Sequence, residues 1–125
     1  MINFASILNQ AIQHKKNICV IPLTRINLDI LKILYNNGFI YSYTMNQKNL
    51  KIVVALNIVG DINTMKKIKI ISKPSKPIHY TIKQLKNCII KEGRFFILST
   101  SSGIISSESA LKLNTSGEVW IEVIK

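Results

Sequence analysis

Phe95-Phe96-Ile97-Leu98-Ser99-Thr100-Ser101-Ser102-Gly103 sets four apolar residues directly against four hydroxyl side chains and a glycine. An apolar run this short, aromatic and β-branched in character and stopped by turn-forming residues, reads as a buried strand. The hydroxyl residues then form a loop, and Ser106 to Leu113 reads as a short helix beyond it, with Ser106 or Ser107 as N-cap. Small hydroxyl side chains donate to and accept from phosphates, ribose hydroxyls and base edges, and they let a polynucleotide backbone come close. In a protein taken at random the commoner meaning is an ordinary strand-to-helix connection with serine caps.

Working outward, Gly117 to Val123 alternates Val119, Ile121 and Val123 against Glu118, Trp120 and Glu122, the pattern of a final strand with one buried face. Upstream, Met65 to Ile71 and Ile78 to Ile82 are predicted as strands. Between them Ser72-Lys73-Pro74-Ser75-Lys76-Pro77 is an extended, exposed stretch, since its two prolines resist pairing. In the first half, Phe4, Ile7, Leu8, Ala11 and Ile12 recur at helical spacing and run into His14-Lys15-Lys16-Asn17. Ile18-Cys19-Val20-Ile21 is a short buried strand stopped by Pro22. Thr24 caps a second helix in which Leu28, Leu31, Leu34 and Tyr35 share a face, and Asn36-Asn37-Gly38 closes it. Phe39 to Tyr43 and Leu50 to Val59 are strands joined by a polar turn, and Gly60 to Thr64 is a loop. The reading is an α+β protein of two small lobes. Residues 1–64 are ordered helix, strand, helix, strand, strand, and residues 65–125 form a β-rich lobe with one short helix.

The 125 residues carry 17 Lys and Arg against 6 acids, a formal charge of +11, and 47% hydrophobic residues, enough to close a core. Such a charge on a small folded chain points to a polyanion, nucleic acid first. No apolar run approaches the roughly 20 residues of a membrane span, and neither a secretory signal pattern nor an Arg-rich transit peptide is legible at the N-terminus. Cys19 and Cys88 have no Cys or His at ligand spacing and read as reduced, buried residues of an intracellular protein. The six acids form no close pair, His14 and His79 sit in polar stretches, and no phosphate loop, dinucleotide fingerprint or metal quartet is present. Neither an enzyme nor a cofactor, metal or small-molecule binder is expected.

Among candidate contacts, Lys73, Pro74 and Lys76 combine cations with an extended backbone. They suit a phosphate chain and a solvated linker equally well. Tyr80 either stacks on an unpaired base or packs on the core. Trp120 is more often a core residue, and Lys66, Lys67 and Lys69 are more often solvated surface than a binding face.

Taken in order, Ile71-Ser72-Lys73-Pro74, then Ile97-Leu98-Ser99-Thr100-Ser101 with Gly103, then Ser116-Gly117-Glu118-Val119 resemble the C-terminal signature of the small-subunit ribosomal protein eight family. Val20-Ile21-Pro22 and Leu31-x-x-Leu34 closing on Gly38-Phe39-Ile40 extend the resemblance over nearly the whole chain. It implies two α+β lobes bound to the central domain of small-subunit rRNA, with neighbouring ribosomal proteins alongside. By that analogy Ser99, Thr100, Ser101 and Gly103 contact an irregular RNA helix in its minor groove, and Glu118 orients the loop. Lys73 and Pro74 run near the backbone, and Thr24 and Arg25 touch a second RNA segment. The sequence departs from the family at Ser75, where a glycine is usual, at His79 for a tyrosine and at Ser102 for a lysine. Gln10 and Ile12 stand for arginines, and Ser116 for a glycine.

A free-standing regulator binding an mRNA hairpin would use the same loop, and a protein held mainly by protein neighbours would barely depend on it. Ile, Lys and Asn, all with AT-rich codons, number 24, 15 and 12. That bias points to an AT-rich genome, with the mitochondrial matrix as the expected location and a plastid or a bacterial cytoplasm as alternatives.

Overall fold

The structure, a computed structural model, describes residues 2–59, 62–72 and 75–125. The chain divides into two compact units, Met1–Ile68 with Lys125 and Lys69–Ile124.

The first unit opens with α1 (Ile2–Gln13), which buries Phe4, Leu8 and Ala11 along one face. Three antiparallel strands follow in spatial order β1-β3-β2, namely β1 (Ile18–Pro22), β2 (Ile40–Asn46) and β3 (Lys51–Leu56). Pro22 does not stop β1 but is its last residue, opposite Lys51. It is tolerated because β1 is an edge strand, where a missing N–H costs no ladder bond. Cys19, Ile21, Ile52, Val54 and Leu56 turn inward, whereas Ile18, Val20 and Val53 on the other face stay exposed, so β1, expected to be buried, is buried on one face only. Helix α2 (Arg25–Asn36) lies between β1 and β2 and buries Asn27, Ile30, Leu31 and Leu34. Leu28 is only half-buried, and Tyr35, placed on the core face by periodicity, is half-exposed against Tyr43 in an edge-to-face pair at 5.8 Å. Gly38 closes α2 as expected. Its φ of +76° suits a residue without Cβ, and Phe39 N–H reaches back to Leu34 O at 2.9 Å, the Schellman bond. The strand expected over Leu50 to Val59 breaks after Leu56, its end becoming β4 (Ile58–Val59), which pairs with β5 (Ile62–Asn63) from the segment expected to be a loop.

The predicted strand Met65 to Ile71 is shorter, β6 (Lys67–Ile70). A four-stranded sheet runs β6-β9-β7-β8, with β7 (Phe95–Thr100), β8 (Gly103–Ser106) and β9 (Glu118–Ile124). Two helices accompany it, α3 (Ile82–Glu92) and α4 (Ser107–Lys112), where the sequence reading had one. The strand expected over Ile78 to Ile82 is a single bridge, His79 opposite Glu118, and then α3 begins. A capping box starts that helix. Thr81 Oγ accepts from Gln84 N–H at 3.2 Å, and Gln84 Oε1 accepts from Thr81 N–H at 2.9 Å. Gly93, at φ +63°, ends it. Leu85, Phe96, Leu98, Ala110 and Val119 form the core of this unit, with Tyr80, Cys88 and Ile89 packed around it.

Cys19 is buried, and burial pushes its thiol up to about 11. Cys88, expected to be buried, is half-buried. Since the folded state holds the Cys19 proton more tightly than an unfolded chain, the stability this adds is complete below the ordinary thiol value. It is lost as pH rises from about 9 toward 11. Alkylation at pH 8 is accordingly expected to label Cys88 and spare Cys19 until the protein unfolds. Equal labelling rates under native conditions, followed by mass spectrometry, would contradict this.

Candidate nucleic-acid interface

The hydroxyl segment is the tip of a β-hairpin rather than a strand-to-helix loop. Leu98 pairs with Ile105, Ser99 with Ile104 and Thr100 with Gly103, leaving Ser101 and Ser102 as a two-residue turn. Helix α4 follows only after β8, capped by Ser106, whose Oγ accepts from Ser109 N–H at 3.2 Å. The sequence reading missed β8 because only three residues separate the turn from that cap.

The four hydroxyls have different duties. Thr100 Oγ1 donates to Gly103 O at 3.0 Å and accepts from Ser102 N–H at 3.1 Å, so it staples the turn. Gly103 has φ +101°, a conformation only glycine adopts without strain. Ser101 and Ser102 are exposed, and their hydroxyls make no hydrogen bond among the described residues. Ser99 is half-buried. The hairpin therefore presents two free hydroxyls on a turn that its own hydrogen bonds hold rigid.

Strand β9 brings further groups to the same end of the sheet. Glu118 lies opposite Ser99 on β7 and opposite His79 on its other side. Just before it, Gly117 passes so close to β7 that a Cβ there would overlap the Ser99 carbonyl oxygen. Ser116 donates its hydroxyl to the Tyr80 carbonyl, tying the approach of β9 to the start of α3. The Tyr80 ring packs edge-to-face on Phe96 at 5.7 Å, so it belongs to the rim of the core and is not a free platform.

Ser72, unremarked in the sequence beyond its place in the signature, is buried. It accepts from Ile78 N–H at 2.8 Å and donates to Ile78 O at 3.3 Å. One hydroxyl thus pins together the two ends of the segment that contains Lys76, which is exposed. Lys73 and Pro74 lie outside the described residues. Ser72→Ala orphans the Ile78 N–H and frees the basic segment. We expect a loss of about 1–2 kcal/mol of stability, with faster proteolysis between residues 72 and 78. Unchanged denaturation and cleavage would show that the clamp contributes nothing.

Thr24 and Arg25 fall in the other unit. Thr24 is the N-cap of α2, its Oγ1 accepting from Asn27 N–H at 3.1 Å, while Asn27 Nδ2 donates to Pro22 O at 3.0 Å and sets where the helix begins. Both Thr24 and Arg25 are exposed, beside a surface groove that Leu28, Asp29 and Lys32 also line. Among the described residues no group of His, Cys, Asp and Glu could hold a metal, and no helix is long and apolar enough to cross a membrane.

The family whose description is "Ribosomal protein S8" matches residues 2–124. The chain belongs to this family. Curated relatives named small ribosomal subunit protein uS8 include one from Azobacteroides pseudotrichonymphae, 32% identical over 90% of this chain and 88% of its own length. The Rickettsia typhi protein of the same name is 34% identical over 82% of this chain and 79% of its own. Within the S8 family framework, the spatial neighbours are the hairpin tip, Gly117 and Glu118, with Ser72 closing the basic segment. The sequence reading placed Gly117 and Ser72 in the family signature and gave neither a duty in the site. For Gly117 the signal was present, since a glycine bordering a strand pattern often marks a close backbone approach.

Proposed function

We propose that this protein is a non-enzymatic constituent of the small ribosomal subunit that binds the central domain of small-subunit rRNA and supports its folding during assembly, beside neighbouring ribosomal proteins. The observation that carries this reading is the serine hairpin, an internally stapled turn presenting two unbonded hydroxyls on a chain of net charge +11. A rigid, uncharged, hydroxyl-bearing tip suits the shallow minor groove of an RNA helix, where ribose 2′-hydroxyls and base edges are accessible. Ser99, Ser101, Gly103 and Glu118 form the contact, and Thr100 shapes it. By the family resemblance Lys73, Pro74 and Lys76 follow the phosphate backbone, and Thr24 with Arg25 offers a separate contact from the first unit. Tyr80 supports the site from the core.

The test is titration of the purified protein with a transcript of its own rRNA central domain over a salt series. Binding that survives excess tRNA supports a specific site. Ser101→Ala should cost about 1–3 kcal/mol of that binding, while a superimposable curve would remove the hairpin from the mechanism. A free-standing mRNA regulator would bind an mRNA hairpin instead and fail to sediment with small subunits. For location we retain the mitochondrial matrix on the Ile, Lys and Asn bias, although the relatives above are bacterial. Finding the gene on a bacterial chromosome would replace it with the bacterial cytoplasm.

A further inference from the structure

The RNA-binding reading leaves α3 without a role. Its register is set at both ends, by the Thr81–Gln84 capping box and by the left-handed Gly93. At 3.6 residues per turn, Leu85, Cys88 and Ile89 form the face that packs on the core. Lys83, Lys86, Asn87, Ile90 and Lys91 fall on the opposite face, and all five are exposed.

This face is electrically one-sided. The only acid in the helix, Glu92, points away from it and is engaged by Arg94 at 3.2 Å. Among the described residues no lysine takes part in an ion pair. Lys83 and Lys86, three positions apart, repel each other and oppose the helix, which its two caps offset. Ile90, at the centre, is 67% exposed. Such an arrangement costs the free protein helix stability and gives it no internal contact in return, whereas a polyanion laid along the helix would use all of it.

We propose that the Lys83, Lys86 and Lys91 face of α3 is a second RNA contact, distinct from the serine hairpin, which grips phosphates without reading sequence. It rests on the RNA-binding reading above. The three ammonium groups are spread along about 12 Å of helix axis, so they can neutralise two or three phosphates of one strand. The flexible stems flank Ile90, which rests against ribose. Phosphate contacts of this kind place a protein on RNA, while hydrogen bonds elsewhere specify the sequence.

The experiment compares the wild type with the triple variant Lys83→Gln, Lys86→Gln, Lys91→Gln, since glutamine keeps nearly the helix propensity of lysine. Circular dichroism and thermal melting verify the fold. Both proteins are titrated with the rRNA central-domain transcript and with an unrelated RNA duplex over a salt series. The variant should bind both RNAs roughly 10–100-fold more weakly at low salt, with a salt slope shallower by about two to three phosphates. Ser101→Ala should weaken only the transcript. Variant curves that superimpose on wild type with both RNAs would overturn the proposal, as would a wild type that binds neither. A wild type with no preference for its transcript defeats the rRNA-specific reading alone, and the slope of the variant still decides the α3 contact. Unchanged RNA binding with loss from reconstituted small subunits would assign the face to an acidic protein neighbour, and so also overturn it.

Discussion

Gly117→Ala is expected to lower stability by about 3 kcal/mol and to weaken RNA binding in the same step. The added Cβ would overlap the Ser99 carbonyl oxygen and sit 3.1 Å from both the Ser99 carbonyl carbon and the Thr100 Cα. Overpacking usually costs about 1–3 kcal/mol, and the upper end applies because the obstacle is backbone. A side chain could rotate aside, but the end of β7 is held in its ladder by Ile104 and Gly103 on one side and Glu118 on the other. Relief must come from moving β9 away from the hairpin, which displaces Glu118 and the Ser99–Ser101 backbone together. Urea denaturation gives the first quantity and titration with the rRNA transcript the second. A variant with a wild-type midpoint would mean that β9 shifts freely, and the close approach would then have no role. Gly103→Ala is a useful contrast, because nothing crowds a Cβ there and only its φ of +101° opposes the change.

Arg94→Met should be nearly as damaging, at about 3 kcal/mol. Glu122 is 6% exposed, and its carboxylate takes both Arg94 Nε at 2.9 Å and Nη2 at 3.0 Å in a bidentate fork. The guanidinium also lies 4.9 Å above the Phe96 ring. Its hydrogen bonds to Glu122 raise its already high pKa further, so it is charged at every accessible pH. Methionine keeps most of the apolar stem but strands a buried carboxylate, which costs 3–5 kcal/mol when the pair is fully enclosed. The low end applies here because about a third of the Arg94 side chain is exposed. The double variant Arg94→Met, Glu122→Leu should recover most of the loss, since no unpaired charge remains. Additive losses in the cycle would show that the two residues act independently.

The Arg94–Glu122 pair also marks where sequence reading stops. Alternation in β9 places Glu122 on the solvent side, opposite Val119, Ile121 and Val123. Yet Glu122 is buried, because Arg94, 28 residues earlier, closes over it. A β-bulge at Trp120, between the pairs Ile97–Ile121 and Leu98–Val119, further breaks the simple period. By contrast, α3 was legible and overlooked. Thr81 followed by Gln84, with Ile82, Leu85, Cys88 and Ile89 and then Gly93, is a complete helix signature. The β-branched and aromatic side chains of the neighbouring Ile78 and Tyr80 favour a strand locally.

What the sequence determined by itself was local or statistical. It specified the α+β class, the Thr24 cap, a serine cap at Ser106 or Ser107, the Gly38 stop and the buried run Phe95 to Leu98, along with the net charge of +11. Each depends on a residue's own conformational preference or on a period of two or 3.6, which neighbours in the chain can encode. Only the tertiary structure decided that Ser101 and Ser102 form a hairpin tip, that Gly117 must be bare, that Ser72 closes the basic segment and that Glu122 is paired. Gly117 and Glu122 depend on groups remote in sequence, the Ser99 carbonyl and Arg94, coming within 3 or 4 Å. The hairpin tip and the Ser72 clamp are local, yet each depends on which of several equally polar neighbours a hydroxyl meets, and no residue pattern records which one will stand opposite.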